Sequence, residues 1–222
     1  MKNKFHPIFT IAPVVACGLA VLAGCATSGY EQADRTGQKL EGVQKVVLDA
    51  RDTINEAMVE LTQISETAKT NPRDAFDDFD STVNELERIR ENAAKASVRM
   101  QDQGADFFTE WQNQLATIND PDMRRTAQQR MDELRQVFAD TRPLLQDVKY
   151  DFDPFLSDLQ DLRTLLNMDL TADGIDSANR YIDKAISSGT KLQKSMDELV
   201  AGLTRIRLEI TPADVPPPPK DK

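Results

Sequence analysis

Residues 40–68, LEGVQKVVLDARDTINEAMVELTQISETA, decide the fold. Within them Leu40, Val43, Val47, Ala50, Ile54, Ala57, Leu61, Ile64 and Ala68 recur in alternating steps of three and four. A strand would need a period of two; this rhythm is a heptad seam, one apolar stripe on a long helix. The same rhythm returns near the other end of the chain, as Ile175, Ala178, Ile182, Ala185, Gly189, Leu192, Met196, Leu199, Leu203, Ile206 and Ile210. Gly189 and the alanines in this second seam are expected to draw neighbouring backbones close.

Two further helices lie between the seams. Phe76, Phe79, Val83, Leu86, Ile89, Ala93, Ala96, Met100, Phe107, Trp111, Leu115 and Ile118 form the first, with a double three-step at Leu86 and a double four-step after Phe107. Such irregularities turn the stripe around the helix and predict local over- or underwinding. The other stripe runs Ala127, Met131, Leu134, Phe138, Thr141, Leu145, Val148, Phe152, Phe155, Leu159, Leu162 and Leu166, in register through Pro143 and Pro154. A bent, stacked run is expected, with Asp153-Pro154 as an N-cap and first-turn pair of a separate helix the alternative. The breaks are short: Thr70-Asn71-Pro72, Ile118-Asn119-Asp120-Pro121 and Asn167-Met168-Asp169-Leu170-Thr171. Short connections force antiparallel neighbours. The expectation is therefore an all-α, elongated antiparallel four-helix bundle, a coiled-coil-like rod with helices at about 39–69, 73–118, 122–167 and 172–210.

The N-terminus reads as an address. Lys2 and Lys4 precede an apolar run from Ile8 to Leu22, too short and too broken by Pro13 and Gly18 for a membrane span of about 20 residues. It is expected to be a signal peptide, residues 1–24. The following Leu22-Ala23-Gly24-Cys25 resembles the bacterial lipobox, which implies cleavage between Gly24 and Cys25 and lipidation of Cys25. Several acyl chains, each inserting at about 0.8 kcal/mol per buried CH₂, hold such a protein on a membrane without a spanning helix. Ala26, where a retention signal would carry Asp, implies the inner leaflet of the outer membrane, facing the periplasm. Residues 25–38 are expected to be the lipidated cysteine and a short linker. Residues 211–222, with Pro216 to Pro219, are expected to form a disordered, extended tail.

Chemistry is narrowed by subtraction. Of 222 residues, 27 are basic and 37 acidic; without Lys2 and Lys4 the balance is 25 against 37. That charge argues against nucleic acid as a partner. The single histidine, His6, and one of the two cysteines, Cys17, fall in the signal peptide. With Cys25 acylated, imidazole bases, thiolate nucleophiles and Cys/His metal sites are lost, and a di-iron bundle would need Glu-x-x-His pairs. No Gly-rich phosphate loop is present. The expectation is no enzyme, no cofactor and no metal, with no small-molecule substrate indicated. Three clusters have both a functional and a bland reading. Phe107, Phe108 and Trp111 form a stacking patch or core. Arg124, Arg125, Arg130 and Arg135 form an anion site or a solvated face with ion pairs. Asp147, Asp151, Asp153, Asp158 and Asp161 lack the spacing of a calcium loop. In each case the bland reading is preferred.

The order of lipobox, long helix, Asp106-Phe107-Phe108-Thr109-Glu110-Trp111, Arg124-Arg125, then Arg142-Pro143-Leu144-Leu145 and a Leu-rich stretch to Asn167 resembles a family of uncharacterised bacterial helical envelope lipoproteins. The family brings no activity. This chain departs from its pattern at Asp151-Phe152-Asp153-Pro154, where a more uniformly hydrophobic run is expected. A weaker likeness is to the major outer-membrane lipoprotein, which shares Leu-Ala-Gly-Cys, a heptad helix and a C-terminal lysine joined to peptidoglycan. It implies Lys222 as a peptidoglycan attachment point. The expected role is a lipid-anchored structural or scaffold protein of the cell envelope. The alternative is a periplasmic partner-binding module, adaptor- or chaperone-like.

Overall fold

Turn chemistry sets where each helix stops. Asp120 Oδ1 accepts hydrogen bonds from the backbone N–H groups of Asp122 and Met123, both at 2.9 Å, with Pro121 in the first helical position. Across the same turn Arg124 Nε donates to the Ile118 carbonyl at 2.9 Å, satisfying an acceptor at the end of the preceding helix. At the next turn Thr171 Oγ1 accepts from Gly174 N at 3.2 Å, while Asp169 Oδ1 accepts from the Thr171 hydroxyl and backbone N–H. Those bonds from Thr171 hold the Asp169 carboxyl below its usual range. Glycine is required at 174, because a Cβ there would lie 2.4 Å from the Asp169 carbonyl oxygen.

The computed structural model describes residues 29–211. Among them are four helices: α1 (Gly29–Thr67), α2 (Arg73–Thr117), α3 (Pro121–Met168) and α4 (Ala172–Ile210). At 1.5 Å per residue they are roughly 58 to 72 Å long. α1 packs on α2 and α4, α3 packs on α2 and α4, and the diagonal pairs do not meet. The result is an up-down-up-down ring in the order α1, α2, α3, α4. One end carries the α1–α2 and α3–α4 turns; the other carries the start of α1, the α2–α3 turn and the end of α4.

α1 opens at Gly29, ten residues ahead of the start expected at 39. The reason lies in neighbours that the seam count did not include. Gln38 Nε2 donates to Asp34 one turn earlier at 3.0 Å, and Thr36 and Gly37 are buried ahead of Leu40, where the seam begins. Gly37 meets the end of α4 so closely that a Cβ would lie 2.7 Å from Thr211 Oγ1. α3 runs unbroken through Pro143 and Pro154, so the separate helix opening at Asp153 does not occur. Each proline costs about 3 kcal/mol in a helix interior. The buried Phe152, Phe155 and Leu156 beside Pro154 return about 1.5–3 kcal/mol apiece, which keeps the helix continuous.

The core has two parts. Toward the turn end, Ile54, Leu61, Phe79, Phe155, Leu159 and Ile182 are almost wholly buried with their neighbours. Toward the other end, Leu40, Phe107, Leu134, Leu203, Ile206 and Ile210 form a smaller cluster. α4 serves both parts along its whole length. Gly189 has the close approach expected of it: a Cβ would stand 2.5 Å from Met58 Sδ and 2.9 Å from Phe155 Cε2.

Candidate functional site

Gly24, Cys25 and Lys222 lie outside the described residues. The described chain nevertheless begins and ends at one end of the bundle, with Thr211 against Gly37. No helix among the described residues is long and apolar enough to cross a membrane.

The three polar and aromatic clusters resolve into packing and pairing. Phe107 is buried, its ring edge-on to Phe108 and Trp111 at 5.2 and 5.7 Å and stacked on Phe138 at 6.2 Å. Arg125 pairs with Asp122, Arg130 with Glu209 at 2.8 Å and Glu133, and Arg135 lies 5.4 Å from the centre of the Phe108 ring. Three of the five aspartates meet cations on other helices; of these, Asp153 pairs with Arg90 at 2.9 Å and Asp158 with Lys184 at 2.9 Å. Asp151 is the unusual member, only 9% exposed. Its two oxygens accept from Lys191 Nζ at 2.6 Å and Ser195 Oγ at 2.8 Å. Burial pushes its carboxyl up, but those two hydrogen bonds and the lysine charge outweigh it, leaving the group below its usual range. The departure from a hydrophobic run at 151–154 thus joins α3 to α4 through Asp151 and to α2 through Asp153.

A site that periodicity did not pick out lies between the two parts of the core. α2 has buried residues at Phe79, Val83 and Leu86 and again at Phe107, but none between Leu86 and Phe107, roughly 30 Å of helix. Beneath this stretch is a groove of about 690 Å³. One wall is Val43, Val46, Val47 and Ala50 of α1; Leu145, Val148 and Phe152 of α3 form another. Met196 and Leu199 of α4 close the floor, and Ile89, Ala93, Ala96 and Met100 of α2 span it. Ala93, expected in the core stripe, is exposed instead. The cause is volume: once the double three-step at Leu86 rotates the stripe, α2 offers alanines, and the facing side chains, mostly valines with Leu145, Phe152, Met196 and Leu199, do not fill the space they leave. Charged side chains stand where the groove meets solvent, Arg90 and Asp153 paired with each other, Glu91 and Lys149 exposed. The sequence did hold a signal, the skipped step between Met100 and Phe107, filled by Gln103 and Gly104.

A volume of this size falls within the range of small-molecule sites, about 300–1,000 Å³. Its lining is aliphatic, with polar groups at the edge. That arrangement suits binding of an apolar group, with the charged side chains kept to its rim. The fold and groove define a helical bundle with a lateral apolar cleft. The chain belongs to the family described as Protein of unknown function (DUF2959), whose model matches residues 23–206, from before Cys25 to the last turn of α4. No curated protein and no solved structure matches the chain.

Proposed function

We propose that this chain is a lipid-anchored, non-enzymatic helical scaffold of the bacterial cell envelope, held on the inner leaflet of the outer membrane by Cys25. The observation that carries this reading is the start of α1 at Gly29, four residues beyond Cys25. An acyl group on Cys25 would be tied almost directly to one end of a rod roughly 60–70 Å long. Loss of His6 and Cys17 with the signal peptide supports a role without catalysis. The test is Cys25→Ala: the variant is expected to leave the membrane fraction and to lose the mass of the acyl groups. Unchanged fractionation and unchanged mass would sink the proposal.

The groove favours a second reading, a partner-binding module. A scaffold that only spaces the envelope has no use for an open apolar cleft. Crosslinking in the native envelope separates the two: a stoichiometric partner captured through residues lining the groove supports the module, and a monomer with no captured partner supports the spacer.

A further inference from the structure

We infer that the groove beneath α2 binds a zwitterionic glycerophospholipid, an acyl chain lying along the slot and the head group at its mouth. The inference goes beyond the scaffold reading and does not rest on the acylation of Cys25. Its first ground is the lining. The interior is built from Val43, Val47, Ala50, Val148, Phe152 and Leu199, which offer hydrocarbon; Ser97 on α2 is the one uncharged hydrogen-bonding side chain in the lining. An extended peptide laid there would bury backbone N–H and C=O groups without partners, at a cost of several kcal/mol each. A partner helix satisfies its own backbone but is about 10–12 Å across, as wide as a member of the ring. α2 stays in the ring on both sides of the groove, held by Phe79 and Leu86 on one side and Phe107 on the other. An alkyl chain needs neither hydrogen bonds nor that width, and each CH₂ it buries is favourable by about 0.8 kcal/mol.

The second ground is charge at the mouth. Arg90 and Lys149 bring two positive charges, Glu91 and Asp153 two negative ones. Arg90 and Asp153 neutralise each other at 2.9 Å. Lys149 on α3 and Glu91 on α2 are left to a ligand, one suited to a phosphate and the other to an ammonium. A free fatty acid or an anionic phospholipid would use the lysine, meet the glutamate, and approach a protein of net charge −10 against its field. A head group carrying both charges matches both residues and has no net charge to be repelled.

The test uses the full chain as purified, mixed with lipid nanodiscs containing trace phosphatidylethanolamine with a photoreactive group in its acyl chain, and mass spectrometry of the labelled peptides. Label is expected on peptides spanning 43–50 and 89–100, at least about tenfold above that from phosphatidylglycerol carrying the same group. Ala96→Phe, which fills the slot, should remove this label without lowering the thermal midpoint. Should Ala96→Phe fold poorly, Ala93→Phe makes the same test from an exposed position. Glu91→Lys should turn the preference toward phosphatidylglycerol while the slot stays labelled. Three results would each overturn the inference: label on the slot that survives both filling variants, equal labelling by the two lipids in the unmodified protein, or label only on outer surfaces such as those around Met123 and Leu208.

Discussion

α4 and α2 are helices of similar length in one ring, and both place alanine at positions of their apolar stripe. Along α4, Ala178, Ala185 and Gly189 are buried, because large side chains reach across to them; Met58 and Phe155 close on Gly189 from two helices. Along α2, Ala93 is exposed and Ala96 only half-buried, because the side chains facing them, mostly valines of α1 with Leu145, Val148 and Phe152 of α3, leave the space beneath α2 unfilled. A small residue brings helices together only where a neighbour supplies the missing volume. Without it the same residue leaves a cleft.

The widest expected contrast is between truncations in the two regions. Phe155→Ala removes a fully buried α3 ring that closes on Gly189 of α4 and should cost about 3–5 kcal/mol in urea unfolding. Met100→Ala, at the edge of the groove, should cost about 1 kcal/mol or less, since no closed cavity forms. Equal losses would mean that the groove closes in solution. Adding volume gives a smaller contrast. Gly189→Val forces Met58 and the Phe155 ring aside and is expected to destabilise by about 1–3 kcal/mol, whereas Ala96→Val enters open space and should stay within about 0.5 kcal/mol.

Asp151 tests the α3–α4 side of the comparison by charge. Its removal in Asp151→Ala frees Lys191 and leaves Ser195 only its long hydrogen bond to the Lys191 carbonyl, at about 1–3 kcal/mol near neutral pH. Because its carboxyl is held below the usual 3.8, the folded state binds its proton more weakly than the unfolded chain. The stability it contributes is therefore complete above pH ~4 and lost as pH falls through the folded value. Wild type and variant should converge in acid; a gap that persists at low pH would assign the effect to packing instead.

The four helices, their antiparallel order and the continuity of α3 were legible because the apolar period runs without a miss in α1, α3 and α4, breaks in α2 only by shifts of the stripe, and the turns carry Pro, Asn and Asp. The early start of α1 was not, since its first turns are fixed by Gly37 and Leu40 meeting the end of α4, a contact between residues far apart in sequence. The groove was half-legible. The stripe shift at Leu86 and the gap before Phe107 are visible in the order of residues, but whether small side chains bury or gape depends on which residues face them. Asp151 was visible only as one of five aspartates. Its pairing with Lys191 and Ser195, 40 and 44 positions away, is a fact of register between α3 and α4.

The smallest expected effect lies at Glu60, where α1 meets the well-packed part of α2. Thr82 donates to one carboxylate oxygen at 2.9 Å, and the other, Oε2, is buried with no partner among the described residues. Burial raises this carboxyl above its usual value; the Thr82 hydrogen bond opposes that, and the nearby charges of Asp78 and Glu56 add to it. The folded state thus binds the Glu60 proton more tightly than the unfolded chain, so stability is highest below pH ~4.5 and declines as pH rises through the folded value. Glu60→Gln keeps an acceptor for Thr82 and removes the charge. It should raise stability by up to about 1 kcal/mol at pH 7, with the gain shrinking toward zero in acid. The same substitution at Glu91, beside the open middle of α2, removes an exposed charge and should leave the thermal midpoint at pH 7 unchanged. Glu60 would then mark where α2 is closed and Glu91 where it is open; equal responses would erase that boundary.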